Sequence, residues 1–566
     1  MKSLMQIKLL GFYLNFILFS VISLTTIMFG EPIYGTTDDN ILAGFVSGSY
    51  TGQKEFHLIF IQPIMGYILF FLQYFIDLFD IYSWALLVFV ITSFSLLGNL
   101  LFKNYVIENK NKHLYLIWIF VSSLVMSWFT LIPTYTSASI LVTSTSGIVL
   151  FSDYFTSSKS TRKYNFKIII ISLFFISGYL IRPEGFLGTI ILFTPMFLAF
   201  ILIQRKFNFL KFLLSLAVIF IVLICNLILK NHQNNDEAWR QYNNWNDLRH
   251  QIQHRNSQNY LNLHLQDIKW TVPEYHLFMD LAFGDQNTFN ANWIEPAFII
   301  TSYARGIDQT NFTNIKKAVN ILLLKLSENL HITFLYLLLI FIFNSTKTKQ
   351  LHKFFLVLII FIPLFLSLLY MSIYLHTPDR VIQSILLIPI FLLLYLISLY
   401  KSLNVKNQFI LLSILTAIFI YFLSSKNIKK VNDENVEMKK LANINKDKLI
   451  DFSPSAKYLG PGHTEIFNTQ NPYFSLAQDK FPVYNTVGNW DTFSPHWFKR
   501  NKLLNFNDDM VYLTLFNDDV YWISNPIPET GYILELYLIE KGFSKVSRTN
   551  VSEFSTGLQI IKFRNE

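Results

Sequence analysis

The sequence predicts an all-α polytopic membrane bundle followed by a C-terminal α/β domain. Of its 566 residues, 52% are hydrophobic and only 15% are charged, whereas soluble domains average roughly 25% charged residues. Apolar runs of the length of a membrane span recur as far as residue 424. Residues 425–566 are instead mixed in polarity and are long enough for a small soluble domain. A composition of this kind indicates a multi-pass protein of the cell membrane.

About eleven apolar runs are candidates for membrane-spanning helices, because each approaches the length that crosses a hydrocarbon core of about 30 Å. They lie at residues 9–29, 82–102, 114–131, 138–155, 167–181, 185–203, 210–229, 319–343, 354–372, 381–400 and 408–424. A further run, Leu58–Ile76, contains Gln62, Pro63 and Gly66, which interrupt its apolar character.

The distribution of basic residues predicts which runs cross. Lysines and arginines cluster in alternate loops, a pattern typical of the cytoplasmic side. These residues are Lys2, Lys8, Lys103, Lys110, Lys112, Lys159, Arg162, Lys163, Lys167, Arg205, Lys206, Lys211, Lys347, Lys349, Lys353, Lys401 and Lys406. All of them share one side only if Leu58–Ile76 does not cross, so we expect a re-entrant or juxtamembrane helix there. The N-terminus is then cytoplasmic and the C-terminal domain extracytoplasmic.

This topology also predicts the domain organisation. The transmembrane domain covers residues 1–424 and includes two outer loops, 30–81 and 230–318; the extracytoplasmic soluble domain covers 425–566. In the second loop, Pro273 and Pro296 suggest short interrupted helices. In the C-terminal domain, the segments 510–516, 520–525 and 558–565 are interpreted as strands, and GYILELYLIEKGF as an amphipathic helix between them.

The first outer loop carries an acidic pair, Asp38 and Asp39, about nine residues after the first span. One interpretation is structural, because an aspartate often caps the start of a helix such as the one predicted from Asn40 onward. The other is catalytic, since a carboxylate in this position can act as a general base toward a sugar hydroxyl. The local sequence leaves both interpretations open.

Other polar residues lie on the same predicted face. Arg182 and Glu184 occupy the turn LIRPEGFLG between two spans, either as an ordinary surface pair or as part of a site. Arg380 follows the turn HTPD and opens a span, where it either anchors the helix at the headgroups or holds a phosphate. His57 precedes the non-crossing run and either lines the same cavity or lies at the membrane interface.

Several classes of protein are excluded or disfavoured. The single cysteine, Cys225, excludes an internal disulfide and a cysteine-based metal site. The sequence has no phosphate-binding Gly-rich loop and no HExxH metal motif, and its short basic cytoplasmic loops offer no site for a nucleotide sugar. The net charge of +9 reflects those loops, so we expect no nucleic-acid partner. A sugar donor on the outer face would therefore be lipid-linked.

These features together resemble the GT-C superfamily, membrane glycosyltransferases that use polyprenyl-phosphate sugars. The resemblance covers roughly residues 1–424. It is carried by EPIYGTTDD (31–39), HLIFIQPIMGYILFFLQ (57–73), RPEG (182–185) and HTPDR (376–380). The chain departs from the pattern at Gln62-Pro63, where related enzymes have an HPP-type sequence, which leaves the acceptor and the branch of the superfamily open.

The resemblance implies transfer of a sugar from a polyprenyl-phosphate donor to an envelope glycan or glycolipid, without a metal or other cofactor. Asp38 or Asp39 would be the catalytic base, and Arg380 and Arg182 would stabilise the departing phosphate; His57 and Glu184 complete the expected substrate-binding set. Two alternatives remain: a polysaccharide polymerase or ligase, and a non-catalytic transporter of envelope glycans.

Overall fold

The structure is a computed structural model. It describes residues 2–77, 79–108, 112–155, 162–203, 207–253, 258–308, 330–344, 350–374, 379–399, 407–453, 455–461, 471–474, 483–506, 511–524, 529–553 and 559–565, with isolated residues between 316 and 328.

Helices account for most of the described chain. The first nine are α1 (Lys2–Phe29), α2 (Thr37–Ser47), α3 (Pro63–Phe75), α4 (Ile81–Leu101, continued by a π-helical turn to Glu108), α5 (Lys112–Leu131), α6 (Tyr135–Tyr154), α7 (Arg162–Ile181), α8 (Pro183–Ile203) and α9 (Phe209–Gln233). The second outer loop forms α10 (Glu237–Gln253), α11 (Gln258–Leu263), α12 (Val272–Met279) and α13 (Ala291–Asp308). Then follow α14 (Leu330–Asn344), α15 (Gln350–Tyr374), α16 (Asp379–Leu399) and α17 (Asn407–Phe452).

Six described helical segments are long and apolar enough to cross a membrane: Leu10–Phe29, Ile81–Glu108, Leu114–Leu131, Tyr135–Tyr154, Phe209–Gln233 and Arg380–Leu399. Shorter apolar segments lie at Pro63–Phe75, Asn165–Ile181 and Phe354–Tyr370. The prediction of a helical membrane protein is thereby confirmed, while the number of eleven crossings stays a prediction. In the predicted span 319–343, residues 321, 322, 325, 326 and 329 lie outside the described residues.

Helix α6 lies at the centre of the bundle and packs against α4, α7, α8 and α16. Its close approach to α7 depends on small residues, since a Cβ atom at Gly178 would lie 2.0 Å from the Thr143 hydroxyl. The Ser139 hydroxyl donates a hydrogen bond to the carbonyl of Gly178 at 2.8 Å. Small and hydroxyl-bearing residues allow helices to pack this closely where no hydrophobic effect drives them together.

The segment between α1 and α4 begins and ends at the same end of the bundle, because the Tyr34 hydroxyl donates a hydrogen bond to Asp80. Its helix α3 has 13 residues, about 20 Å in length, which is too short to cross the hydrocarbon core. The Gln62 amide bonds to the Leu180 carbonyl at 2.9 Å, and Asn226 donates to the Gln62 side chain at 2.8 Å. These contacts and the short α3 favour the prediction from the charge pattern; that Leu58–Ile76 does not cross the membrane stays a prediction. Hereafter the loop end is the end of the bundle where α1 stops and α4 begins.

The C-terminal domain contains a five-stranded sheet in the order β2-β1-β3-β5-β4. The strands are β1 (Lys457–Gly460), β2 (Val483–Thr486), β3 (Val520–Ser524), β4 (Val546–Glu553) and β5 (Gln559–Asn565), and the helices are α18 (Pro495–Leu504) and α19 (Thr530–Glu540). Strands β1, β2 and β3 pair in parallel, whereas β5 is antiparallel to both β3 and β4. The predicted strands at 520–525 and 558–565 and the helix between them are present.

The strand predicted at 510–516 is wrong: Val511–Phe516 forms a 3₁₀ helix. Its buried side chains Tyr512 and Leu515 are three residues apart, which is the repeat of a 3₁₀ helix. A short apolar run does not distinguish these two structures by its periodicity. A turn then leads directly into β3, with the Val520 amide bonded to the Asn517 carbonyl at 3.1 Å.

The second outer loop and the C-terminal sheet share one hydrophobic core. Trp239 and Trp245 of α10 belong to the same buried cluster as Trp497 of α18 and Trp522 of β3. The Trp497 indole donates to the Thr486 carbonyl at 3.0 Å, so these aromatic residues lie inside the protein. Since α10 follows α9 directly, this shared core holds the C-terminal sheet against the loop end of the bundle.

Candidate active site at the loop end

Helix α2 places the two aspartates of the first loop in different surroundings. The helix begins at Thr37, and its N-cap is Thr36, whose hydroxyl accepts a hydrogen bond from the Asp39 amide at 3.3 Å. The cap is therefore neither aspartate, and both lie in the first turn, where acidic residues are favoured by the helix dipole. Successive helical residues point about 100° apart, so Asp38 and Asp39 face different neighbours.

Asp39 is completely buried and its carboxylate is fully partnered. It accepts hydrogen bonds from the Tyr82 hydroxyl at 2.6 Å, the Tyr135 amide at 3.0 Å and the Thr36 hydroxyl at 2.7 Å. The Tyr135 amide is one of the donors that the start of α6 leaves free. Burial raises the pKa of Asp39 to about 6, although its hydrogen bonds to Tyr82 and Thr36 oppose the rise. These contacts fasten α2 to α4 and α6.

Asp38 is half-buried and faces cations. Burial raises its pKa above the ordinary value of 3.8, and the charges of Arg380, Arg182 and Arg249 lower it, as does the nearby indole N–H of Trp490. That N–H forms no hydrogen bond of normal geometry with any described residue. The charges of Arg380 and Arg182 act on both aspartates, but Asp38 is the one whose carboxylate is not engaged in the hydrogen bonds that hold α2.

Arg182 is held rigidly at the turn between α7 and α8. Its guanidinium donates to the Tyr135 hydroxyl at 2.9 Å and pairs with Glu184 at 2.7 Å. It also lies over the rings of Phe60 and Tyr135, 4.9 Å from each ring centre. The Arg182–Glu184 pair that the sequence suggests is therefore present. Glu184 itself is mostly exposed, so its carboxylate neutralises Arg182 from the solvent side.

Arg380 stands at the start of α16, half-buried. Its Nε is buried and has no hydrogen-bond partner among the described residues. Residues 376–378 of the HTPDR motif lie outside the described chain. A guanidinium with an unpaired buried N–H can donate to an anionic ligand without first breaking an existing hydrogen bond.

A third arginine, Arg249, belongs to the candidate site and was not predicted from the sequence. It lies on α10 and is only 4% exposed. Its guanidinium donates to the Asn246 side chain at 2.8 Å and to the Gln253 side chain at 2.5 Å. No ion pair joins it to a carboxylate in the described part of the chain, although Asp38 and Asp491 both act on its charge. Buried arginines are normally paired, so its position favours binding of an anion.

Asp491 brings the C-terminal domain into the site. It is fully buried, and one of its oxygens accepts a hydrogen bond from the Tyr50 hydroxyl at 2.5 Å. Burial raises its pKa to about 6, and the negative charge of Asp38 contributes to the rise while Tyr50 and Arg500 oppose it. The sequence offered no signal for this residue, because its partners lie hundreds of positions away along the chain.

His57 lies apart from the arginines. Its ring stacks on Trp239 with 3.6 Å between ring centres, and its carbonyl accepts a hydrogen bond from the His496 side chain at 2.7 Å. Burial lowers the pKa of His57 to about 3, with the neighbouring His496 adding to the effect. The structure thus places His57 in the contact between the first loop, α10 and α18.

The described residues contain no group of three or more histidine, cysteine or acidic side chains with the geometry of a metal site. The cations at this site are the arginines themselves. Arg182, Arg249 and Arg380 come from three separate parts of the chain, and the charge of each of them acts on Asp38.

No family model matches the sequence, and no curated protein matches it. Among solved structures, the chain is similar to the crystal structure of ArnT from Cupriavidus metallidurans bound to undecaprenyl phosphate, with 10% sequence identity, coverage of 97% of each chain and a TM-score of 0.39. At this score and identity the likeness assigns no residue, donor or acceptor in this chain.

Proposed function

We propose that this protein is a membrane glycosyltransferase that moves a sugar from a polyprenyl-phosphate donor to an envelope glycan or glycolipid on the outer face. The observation that carries the proposal is the arrangement at the loop end: Arg182 donates to the hydroxyl of Tyr135, the residue whose amide holds Asp39, and Arg380 keeps a buried Nε without a partner among the described residues. The charges of Arg182, Arg249 and Arg380 all act on Asp38. A cluster of this kind suits an anionic group attached to a lipid, with a carboxylate beside it for proton transfer.

The arginines would hold the donor phosphate. Guanidinium groups match phosphate oxygens with paired hydrogen bonds and remain charged at all physiological pH values. The donor is a phosphodiester with one negative charge, and the departing polyprenyl phosphate carries a second. Arg249 has no carboxylate of its own among the described residues, and Arg380 has a free Nε donor. These groups would stabilise the charge that develops as the anomeric C–O bond breaks.

Asp38 would be the general base. In a single displacement, the acceptor hydroxyl attacks the anomeric carbon, its proton passes to Asp38, and polyprenyl phosphate leaves from the opposite face. The raised pKa of Asp38 suits this role, since a base works best when its pKa approaches the ambient pH. Binding of the phosphate would neutralise Arg380 and Arg182 and so raise the pKa of Asp38 further. Asp39 would position α2 rather than take the proton.

The lipid chain would lie along the bundle near α3. This helix carries exposed apolar side chains at Ile68, Phe71, Tyr74 and Phe75, which suit contact with bilayer lipid or with the isoprenoid chain. We further propose that the loop end faces outward, that the N-terminus is cytoplasmic, and that residues 1–424 and 425–566 form the two domains.

Binding of lipid phosphate tests the function directly. Undecaprenyl phosphate added to the purified full-length protein should raise its thermal unfolding midpoint, because a ligand that binds only the folded state stabilises it. The effect should persist in Arg240→Gln and be lost in Arg249→Gln. Arg240 is a matched control, because it lies on the same helix α10 but is exposed and paired with Glu237. Equal stabilisation of both variants would contradict the proposed phosphate site.

A strain that lacks the protein tests transfer itself. It should accumulate a polyprenyl-phosphate sugar and lose that sugar from its envelope glycan or glycolipid. An unchanged envelope with no accumulated lipid would refute the proposed reaction.

Orientation is tested in a Cys225→Ala background: an impermeant thiol reagent outside intact cells should label Leu263→Cys, which replaces a residue 81% exposed on the second outer loop, and should not label Lys110→Cys.

A further inference from the structure

Three consecutive residues of the C-terminal domain carry buried polar atoms without partners. These atoms are the indole nitrogen of Trp490, one carboxylate oxygen of Asp491 and the hydroxyl of Thr492. None forms a hydrogen bond of normal geometry with a described residue, although the Trp490 N–H is near enough to Asp38 to lower its pKa. The residues are 6%, 0% and 0% exposed. Buried polar groups are nearly always paired, and each exception requires an explanation such as a missing ligand.

The backbone of this segment, residues 489–492, is fixed while those three atoms stay free. The Trp490 carbonyl accepts a hydrogen bond from the Tyr242 hydroxyl at 2.6 Å. The Thr492 amide bonds to the Asn489 carbonyl at 3.1 Å, and the next residue, Phe493, has a left-handed backbone with φ of 68°. A non-glycine residue in that region costs energy that the surroundings must offset. The backbone of the segment is therefore fixed by its own contacts, and its three polar side-chain atoms do not bond to one another.

The segment also lies beside the proposed phosphate site. The Phe60 ring contacts both, since its centre lies 4.6 Å from that of the Trp490 ring and 4.9 Å from the Arg182 guanidinium. The charge of Asp38 acts on Asp491, and that of Asp491 acts on Arg249. In a polyprenyl-phosphate sugar the ring is bonded directly to the phosphate. If the arginines hold the phosphate, the sugar ring must therefore lie directly beside the arginines, next to the unpaired atoms of residues 490–492.

We propose that Trp490, Asp491 and Thr492 bind the hydroxyl groups of the donor sugar, an inference that rests on the proposed function. The three groups supply complementary hydrogen-bonding roles: the indole donates, the carboxylate accepts, and the threonine hydroxyl does both. A ring with several hydroxyls is the class of ligand that needs all of these at once. Sites built on buried polar partners discriminate strongly against ligands that leave them unpaired.

The test uses the lipid that accumulates in the strain lacking this protein. Half of the sample is treated with mild acid, which removes the sugar and leaves polyprenyl phosphate, so that the two probes differ only in the sugar and the phosphate charge. Affinity for each probe is measured on the purified full-length protein and on Thr492→Val and Trp490→Phe. The intact lipid should bind each variant roughly 5- to 10-fold more weakly than it binds the unaltered protein, as expected for a lost hydrogen bond. Affinity for the hydrolysed lipid should change less than about twofold.

Thr530→Val is the matched control. Thr530 is also fully buried in the C-terminal domain, but its hydroxyl bonds to Ser524 at 3.0 Å. This variant should unfold at a lower temperature and bind both probes normally. Thr492→Val should unfold at the same temperature as the unaltered protein or above it, because no hydrogen bond to a described residue is removed.

The possible outcomes separate the inference from the proposed function. Failure of the hydrolysed lipid to bind the unaltered protein would refute the phosphate site itself. Normal binding of the intact lipid to both variants, with normal binding of the hydrolysed lipid, would overturn the sugar assignment and leave the proposed function intact. The sugar assignment would also be overturned if the variants bind the intact lipid normally but lose sugar transfer. In that case the segment would bind the acceptor and not the donor sugar.

Discussion

The two neighbouring aspartates of α2 lie in polar regions of opposite kinds. Around Asp39 the polar groups are satisfied: its carboxylate accepts three hydrogen bonds, and nearby Asp80 accepts from the Tyr34 hydroxyl and the Tyr82 amide. Around Asp38 they are not, since the buried Nε of Arg380 and the free oxygen of Asp491 have no partner among the described residues.

The difference separates a structural region from a functional one. A buried polar group without a partner costs about 1–3 kcal/mol, so several of them in one place weaken the fold unless a ligand completes them. A satisfied network stabilises the fold but has no capacity left to bind anything. Substitutions should therefore act on activity in the region around Asp38 and on stability in the region around Asp39.

The largest effect is expected for Asp38→Asn. This change keeps the shape of the side chain and removes its ability to take a proton, so transfer of the sugar should fall about 100-fold or more, the contribution of a general base. The thermal unfolding midpoint should change little, because no hydrogen bond to Asp38 is needed to hold α2. Transfer is measured as sugar incorporation into envelope polymer, with expression verified by immunoblot.

Asp39→Asn is the isosteric control for that experiment. An amide at this position still accepts hydrogen bonds from Tyr82 and Tyr135, so the folded variant should keep transfer within a few-fold of the unaltered protein. If Asp39→Asn abolishes transfer and Asp38→Asn does not, the roles of the two aspartates are reversed. Unchanged transfer in both variants would remove the base from the first loop altogether.

The second largest effect is expected for Asp39→Ala, on stability. The substitution leaves the Tyr82 hydroxyl and the Tyr135 amide buried without an acceptor. Each such group costs about 1–3 kcal/mol, so the free energy of unfolding should fall by about 2–4 kcal/mol. The measurement is thermal unfolding in detergent, compared with Asp39→Asn. A midpoint as high as that of Asp39→Asn would mean that the network around Asp39 does not stabilise the fold.

The sequence predicted the helical bundle well because membrane helices follow from local properties. An apolar run of about 20 residues identifies a span, and the lysines of alternate loops indicated that Leu58–Ile76 does not cross. The same local reasoning misassigned 510–516 and missed β4. That strand lies at the edge of the sheet and its side chains are largely exposed, so it lacks the apolar alternation by which strands are recognised.

The candidate site was only partly predictable, for a physical reason. Asp38, Arg182 and Arg380 stand next to predicted spans, so topology alone assigned them to one face. Arg249 lies in a polar amphipathic helix, where a buried arginine and an exposed one such as Arg240 look the same in sequence. Asp491 reaches the site through the packing of the C-terminal sheet against α10, and local patterns carry no information about a contact of that range.

A third prediction uses pH to examine the satisfied region. Burial raises the pKa of Asp80 to about 7 from an ordinary value of 3.8, so the folded state binds a proton there that the unfolded state releases. This contribution to stability is complete below pH 4 and is lost as pH rises through 7, with a slope of at most about 1.4 kcal/mol per pH unit. In the unaltered protein the thermal unfolding midpoint should fall as pH rises, and Asp80→Asn should reduce that fall. The difference should be clearest between pH 6 and 7, above the pKa values of about 6 of Asp39 and Asp491.

The matched control for Asp80 is Asp77→Asn. Asp77 lies in the same loop but is exposed, where it pairs with Lys54, so its replacement should leave the pH dependence unchanged. A wild-type slope that survives in Asp80→Asn would show that Asp80 is ionised in the folded protein throughout this range.

The smallest effect is expected for Asn226→Leu, which removes a satisfied polar contact between α9 and the start of α3. Asn226 lies on the membrane helix α9, accepts a hydrogen bond from the Ile64 amide at 3.4 Å and donates to Gln62 at 2.8 Å. Its loss should lower the free energy of unfolding by about 1 kcal/mol, while sugar transfer by the folded protein stays within twofold. Cys225→Ala, an exposed neighbour on the same helix, should change neither. If Asn226→Leu instead reduces transfer severely with the midpoint unchanged, then α3 itself belongs to the functional region, and hydrogen-bond satisfaction no longer separates the two.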